Sequence, residues 1–534
     1  MIKALQHRLR YGIILAASCG SIVCGAAAAG PLDGTVSVLG KPAAGARVTL
    51  RHLDSGIATS VFTNRDGHYD VTLDHPGGYE ITASWATYAG QAQASLADSE
   101  VSRTVDMTLA PDPNAGQRVT SEQWLSLLPD GDMKREFLLN CTSCHEIDAA
   151  RVLVDGEPRS VEQWAAAFAL MRGIDQYKLL PEDFDDAAYT AWLAQHLDRD
   201  AGARLSPPVP ANVDALAQVR ITEYPLPEPT ELPHDLVVGP DGRIWITAFF
   251  NDVIWALDPA SGAIESYNLR PDGAEGWGQA RALVFAPDGT LWVVLGGTHE
   301  LVALDPASRS FETVNVGMYA HSLVLDSQGR VWFNDYFAET ERIGMYDPAT
   351  KEVRHMTIPS AGLTAAQGLP LPYGLQIDSA GRLYSTQLAG NTLVMYDTNT
   401  AAAELITMPV TNAGPRRPAI GTNDIVWVPE WNTGYLSGYD PATNTFRRYR
   451  IGSSALGAYD AEFDPRSGEV WITGALGSSM IAFDPRDEST LEIPLPTNPA
   501  YTRHLAVDPD TGDLWSAYSS LPAAQPKVVR IQRR

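Results

Sequence analysis

Gly239-Pro240-Asp241-Gly242-Arg243-Ile244-Trp245-Ile246-Thr247 reads as a tight turn running into a short apolar strand. A variant, Ala286-Pro287-Asp288-Gly289-Thr290-Leu291-Trp292, follows it. The aromatic position recurs at Trp245, Trp292, Trp332, Tyr384, Trp427, Trp471 and Trp515, spaced by about 45 residues. Some dozen residues further on comes an Asp-Pro turn, at Asp258-Pro259, Asp305-Pro306, Asp347-Pro348, Asp440-Pro441 and Asp484-Pro485. Strand, turn, strand, strand, Asp-Pro turn, strand is one blade of a β-propeller. Seven aromatic positions predict seven blades across residues 219–534. The last unit stops at Val528-Val529-Arg530-Ile531, one strand short. Arg220-Ile-Thr-Glu-Tyr-Pro-Leu-Pro227 matches the fourth strand Leu491-Glu-Ile-Pro-Leu-Pro496, so the two chain segments are expected to share a blade.

Upstream, a Pro-rich linker from Leu205 to Pro210 bounds a segment, 120–203, in which β-branched residues give way to Ala, Leu, Glu and Asp. Three helices are predicted. The first covers Asp132 to Cys141, with Met133, Phe137, Leu138 and Cys141 on one stripe. The second covers Val161 to Arg172, with Val161, Trp164, Phe168 and Met171 on one face. The third opens at Pro181, with Glu182, Asp183, Asp185 and Asp186 at its head and Phe184, Ala188, Ala191 and Trp192 buried. The first ends in Cys141-Thr142-Ser143-Cys144-His145. Two thiols three residues apart can bond both vinyl groups of one haem, with the next His as an axial iron ligand. A redox dithiol expects a βαβ context, and a zinc site needs two more soft ligands. The segment resembles a small class I cytochrome c, with a short stretch after the motif. One covalent haem c is expected, held by Cys141 and Cys144 with His145 on iron. Met171, 26 residues on, is the sixth-ligand candidate. It also continues the apolar stripe of Trp164 and Phe168, and Met133, His196 or an open position are the alternatives.

Residues 30–110 read as about seven short alternating strands, an all-β sandwich. Gly34, Gly40-Lys-Pro, Gly45-Ala, Thr63-Asn-Arg-Asp-Gly-His-Tyr and Gly78-Tyr are similar to the carboxypeptidase regulatory-like domain, which implies an accessory module without chemistry of its own. Asp66-Gly67 is a turn, and His52, His68 and His75 read as surface residues. Residues 1–29 have the pattern of an export signal: Lys3, Arg8 and Arg10, an apolar run from Tyr11 to Val23, then small residues. Cleavage there gives a periplasmic protein without a membrane span; cleavage before Cys19 would give a lipoprotein instead.

The chain is 534 residues long with 64 acids against 39 bases, a net charge of −25, which repels phosphate backbones and excludes general nucleic-acid binding. Loss of the signal would remove three bases and no acids, taking the charge to −28. It would also remove Cys19 and Cys24, leaving only Cys141 and Cys144 of the four cysteines. No structural disulfide is therefore expected. Between residues 117 and 204 there are 16 acids and 9 bases, which suits a basic redox partner.

Aligning the blades on their aromatic positions places His234, Arg281, His321, Tyr373, Arg416 or Arg417, Tyr459 or Asp460, and His504 or Arg503 at the starts of inner strands. Asp335, Gln387, Glu430 and Tyr518 end second strands at the same face. Such a ring suits a polar or anionic small molecule, or else hydrogen-bonds the carbonyls between blades. The propeller resembles the virginiamycin B (streptogramin) lyases through its Pro-Asp-Gly-Arg-Ile-Trp-Ile-Thr units and Trp427-Val-Pro-Glu430-Trp431-Asn432. That resemblance implies metal-assisted opening of a cyclic ester, with Glu and His as metal ligand and base. Glu430 matches, but Asn432 and Tyr373 stand where His is expected.

The reading is a mainly β multidomain chain: an N-terminal β-sandwich, a small all-α cytochrome c domain and a C-terminal seven-bladed β-propeller. Its function is electron transfer by an exported haem c protein, whose propeller binds a substrate or partner. The alternatives are an oxidoreductase with its catalytic site at the propeller mouth and haem as acceptor, and a metal-dependent lyase. Catalytic candidates at the mouth are His234, Arg281, His321, Tyr373, Glu430 and His504.

Overall fold

The computed structural model describes residues 30–96, 102–174, 180–271, 273–338, 340–520 and 526–533. The expected export signal, with Cys19, lies outside them. Among the described residues no helix is long and apolar enough to cross a membrane.

The N-terminal β domain alternates buried and exposed residues along Pro31–Val38, Arg47–His52 and His68–Thr72. That period of two turns one face of each strand onto a core of Leu32, Val36, Val48, Leu50, Tyr69 and Ile81. Its strand Ala58–Phe62 is buried throughout, because it pairs with Arg47–His52 on one side and with Val219–Pro225 on the other.

The aromatic repeats fold as radial four-stranded sheets. Six blades are self-contained, spanning 233–268, 280–315, 320–357, 372–407, 419–450 and 458–494. Seven blades were expected, the last shared by two chain segments, and the seventh unit is not a separate four-stranded sheet for a physical reason. Its strands Thr502–Val507, Leu514–Tyr518 and Lys527–Arg533 take Val219–Pro225 as their outer strand, paired from Val219↔Arg533 to Pro225↔Lys527. Through Val219–Pro225 they run on into the N-terminal domain, making one 13-stranded sheet. The edge that would close an isolated blade is used to join two domains.

Among the described residues six α-helices precede the propeller: α1 Ser121–Ser126, α2 Asp132–Cys141, α3 Ala149–Val152, α4 Val161–Ile174, α5 Asp186–His196 and the short α6 Val213–Leu216. The first and second predicted helices are α2 and α4. The third begins at Asp186 rather than Pro181, because the Asp185 side chain accepts from Ala188 N and fixes the start there. These helices do not make the separate all-α domain that was expected. Phe137, Leu138, Trp164, Phe168 and Leu193 share one apolar cluster with Tyr319, Tyr336, Tyr373, Trp431, Tyr459 and Tyr501 of the propeller. The segment is too small to enclose its own core, so propeller aromatics complete it.

Candidate functional site

In six of the seven repeats the inner strand slips register just after its first residue, at 233/236, 280/283, 320/323, 372/375, 458/461 and 502/505. A bulge there re-aims the side chains it contains. Those residues include His234, Arg281, His321, Tyr373, Tyr459, Asp460, Arg503 and His504. The fifth repeat has in its place isolated bridges from Pro415 to Glu430 and from Arg417 to Asp460, with Arg416 between them. The inner-strand candidates therefore stand on one ring of backbone irregularities at a single end of the channel.

Within the ring the groups pair closely. His234 shares its Nδ1 with Asp235 Oδ1 at 2.7 Å, and Arg417 Nη1 donates to Asp235 Oδ2 at 2.6 Å. Burial pushes His234 down to about 3, so its imidazole is neutral and Nε2 can accept from Arg281 Nη1 at 3.3 Å. His321 is held well below its usual range by burial and by Arg281; its ring stands 5.5 Å from His234 and 4.2 Å from Tyr373. His504 is lowered to about 4 by burial and lies 3.8 Å from Asp460, whose own carboxyl burial raises.

The second-strand candidates serve the blades themselves. Asp335 accepts from Tyr319 N and Arg342, and Gln387 from Thr392. Tyr518 donates to Glu223. Glu430, fully buried, has both oxygens filled: Oε1 by Ser437 at 2.6 Å and Arg448 Nε at 2.9 Å, Oε2 by Thr433 at 2.5 Å and Arg448 Nη2 at 2.6 Å. With four donors on it, that carboxylate has no lone pair left for a cation. Asn432 Nδ2 donates to Asn412 O, and among the described residues no group of three His, Cys, Asp or Glu could hold a metal ion. The metal centre implied by the lyase resemblance does not fit these residues.

The mouth instead grips the Cys-x-x-Cys-His segment. Trp431 Nε1 donates to Leu138 O and Thr142 Oγ1, both at 3.1 Å. Tyr501 Oη donates to the carbonyls of Thr142 and Ser143, both at 2.9 Å. Arg503 Nη2 reaches Cys144 O at 3.1 Å, and Arg416 Nη2 reaches Ser143 Oγ at 3.0 Å. Arg416 is fully buried, with its guanidinium 3.9 Å from the Trp431 ring and 4.3 Å from that of Tyr459. These donors satisfy carbonyls that a helix C-terminus leaves open, a task Thr142 and Ser143 share by donating to Leu138 O and Leu139 O at 2.6 Å.

The motif itself suits covalent haem. Cys141 and Cys144 are not joined in a disulfide, Cys144 is exposed, and burial beside Asp186 and Glu136 keeps Cys141 protonated. His145 is lowered by burial, and its Nδ1 is engaged by Glu146 O at 2.8 Å, so Nε2 is the nitrogen that would face an iron. Met171 sits half-buried in the last turn of α4, three residues past Phe168, whose ring stacks on Phe184 at 5.9 Å. Arg172 beside it pairs with Asp186 and with the carbonyls of Pro181 and Phe184, tying α4 to the head of α5.

Tyr501, Tyr336 and Tyr319 are not among the residues that the sequence points to, and Trp431 is there only as part of the Trp427–Asn432 motif. Each lies one or two residues outside a strand end, where the alignment on inner-strand starts does not reach. The signal available was an aromatic directly after the second strand, as at Phe249, Tyr336 and Trp431.

Residues 219–524 match the virginiamycin B lyase family, and residues 32–110 the carboxypeptidase regulatory-like domain. Among solved structures, a streptogramin B lyase is 18% identical with a TM-score of 0.52, covering 59% of this chain and 98% of that one. The virginiamycin B lyase of Staphylococcus aureus is 16% identical at a TM-score of 0.51, covering 59% of this chain and 100% of that one. A catalytically inactive form of it, solved with quinupristin, matches with the same values. At such identities the likeness is one of fold. No curated protein matches the chain.

Proposed function

Because the chain belongs to the virginiamycin B lyase family yet uses the mouth of its propeller to hold a Cys-x-x-Cys-His segment, we propose that it is an exported electron-transfer protein carrying one covalent haem c. The observation that carries this reading is the convergence of Arg416, Trp431, Tyr501 and Arg503 on residues 138–144. Three of these donors address backbone carbonyls, so the propeller fixes the conformation of the motif whatever its side chains hold. We read the helical segment as the cytochrome c part of the chain, completed by the propeller, and the ring as seven-fold with its last blade shared.

Cys141 and Cys144 would hold the haem as thioethers, His145 would bind through Nε2, and Met171 is the proposed sixth ligand. Bound haem c supplies a one-electron couple. The chain's own residues do the rest. Glu146 O fixes the His145 tautomer, and burial keeps that imidazole neutral and able to bind. The apolar cluster around Phe137, Phe184 and Tyr189 excludes water from one side of the motif. The family fold supports a metal-dependent lyase only at a distance, and Glu430 locked by Arg448, with Asn432 in place of the expected His, does not suit its metal site.

The test is a reduced-minus-oxidised spectrum of wild type and Met171→Ala, with turnover of a cyclic depsipeptide lactone measured alongside. Wild type should show a low-spin c-type spectrum with a Met–iron signature that Met171→Ala loses. A signature unchanged in the variant would reject Met171. Lactone turnover by protein lacking haem would reject the reading as a whole.

A further inference from the structure

The contacts of the helical segment run to repeats three to seven. Glu182 N and Asp183 N donate to Ala366 O, Glu122 N to Leu476 O, and the shared apolar cluster includes nothing from repeats one and two. Over those two repeats the mouth carries side chains of another kind. Phe250 and Trp277 are each 38% exposed, which is unusual for rings of that size. They stack on one another at 5.6 Å with 22° between their planes. Trp277 is fixed by its Nε1 bond to Phe249 O at 2.9 Å and meets the Phe249 ring edge-on at 5.1 Å. An exposed aromatic pair held this firmly is a preformed platform rather than a loose loop.

Beside the platform stands Arg281, whose guanidinium lies 4.9 Å from the Phe249 ring, 5.1 Å from that of Tyr319 and 5.9 Å from that of Tyr336. Its Nε and Nη2 share the Tyr319 hydroxyl at 3.1 and 2.7 Å, and Nη1 meets neutral His234. All these partners are uncharged. Among the described residues no carboxylate lies within ion-pair distance of Arg281, although the chain has a large excess of acids. A guanidinium this enclosed is expensive without a counter-charge. Arg281 nevertheless keeps some solvent exposure, so it can be reached from the channel. The remaining N–H groups on the Nη1–Nη2 edge match a carboxylate fork.

We propose that the arc of the mouth over repeats one and two binds a planar aromatic carboxylate, its ring against Phe250 and Trp277 and its carboxylate on Arg281. His321, a neutral imidazole whose Nδ1 is engaged by Tyr373 O at 3.1 Å, stands at the polar end and can accept a ligand hydroxyl through Nε2. The site adjoins the Cys-x-x-Cys-His segment through Tyr336, which shares one apolar cluster with Phe137 and Leu138 of α2, with Cys141 packed against it. The inference needs only the fold and these side chains, and it stands or falls separately from the haem.

The experiment is isothermal titration of the full-length protein, as purified, with benzoate, 4-hydroxybenzoate and 4-hydroxycinnamate, and with 4-hydroxybenzamide as the uncharged match. At least one acid should bind saturably, and the amide should bind about tenfold or more weaker than its acid. Arg281→Gln should weaken the acid by about tenfold or more, and Trp277→Ala by about threefold or more. Trp277 is exposed, so its variant tests the platform even if Arg281→Gln misfolds. No saturable binding of any acid up to about 10 mM, equal affinity for acid and amide, or wild-type affinity in both variants would overturn the proposal.

Discussion

Replacing Trp431 by Phe tests whether the propeller holds the Cys-x-x-Cys-His segment in place. The indole is fully buried, donates to Leu138 O and Thr142 Oγ1, and lies 3.9 Å from the Arg416 guanidinium. The lost hydrogen bonds are worth about 0.5–1.5 kcal/mol net. The weakened cation–π contact adds about 0.5–1 kcal/mol and the missing ring atoms about 1–2 kcal/mol. Together the docking of residues 138–144 should lose about 2–4.5 kcal/mol, which is roughly 30- to 1,600-fold in its local opening equilibrium. Hydrogen exchange followed by mass spectrometry reads this directly. Amides of 138–144 should exchange faster by that factor, whereas Ile244–Ala248, across the ring in the first blade, should not change. Unaltered protection at 138–144, or an equal rise throughout the propeller, would refute the reasoning.

Glu430→Gln should lower stability by about 2–4 kcal/mol, somewhat under the fully buried range because Arg448 is partly exposed. It should leave the metal content unchanged, and a fall in bound metal would restore Glu430 as a ligand. Glu122 lines a cavity of about 770 Å³ between the N-terminal domain, α1 and the propeller. Burial, then the charge of Glu492, raises its carboxyl to about 7. The folded protein therefore binds a proton there that the unfolded chain releases near pH 4.3, and stability falls as pH rises from about 4.5 to 7. Glu122→Gln, which mimics the protonated form, should match wild type near pH 4 and exceed it by about 1–3 kcal/mol at pH 8 in denaturant melts. Equal midpoints at pH 8 would contradict that sign.

The propeller was legible because its repeat is strictly local. Each Pro-Asp-Gly turn and the aromatic after it, as at Asp241-Gly242 and Trp245, specify a strand whatever lies elsewhere in the chain. The pairing of Val219–Pro225 with Lys527–Arg533 was readable too, since both match strands inside the repeat. What the repeat could not show was the further pairing of Val219–Pro225 with Ala58–Phe62, because a sheet edge carries no mark of which partner will cover it. The helical segment was misjudged for a related reason. The stripe of Phe137, Leu138 and Cys141 shows that a face is buried, but not that Tyr501 and Trp431 bury it. The channel candidates came from aligning the blades on their aromatic positions, and the register slips put those positions, His234-Asp235 and Tyr459-Asp460 among them, at one end of the inner strands. Asp335, Gln387 and Glu430 occupy equivalent sequence positions, yet are spent on hydrogen bonds within their blades.

The central claim is that this propeller seats a covalent haem. Its most direct test is haem staining of the full-length protein on a denaturing gel, after expression in a host that matures c-type cytochromes, beside the Cys141→Ala/Cys144→Ala double variant. Stain should travel with the wild-type polypeptide and be absent from the double variant. An unstained wild-type band, or stain retained without the two cysteines, would contradict the account.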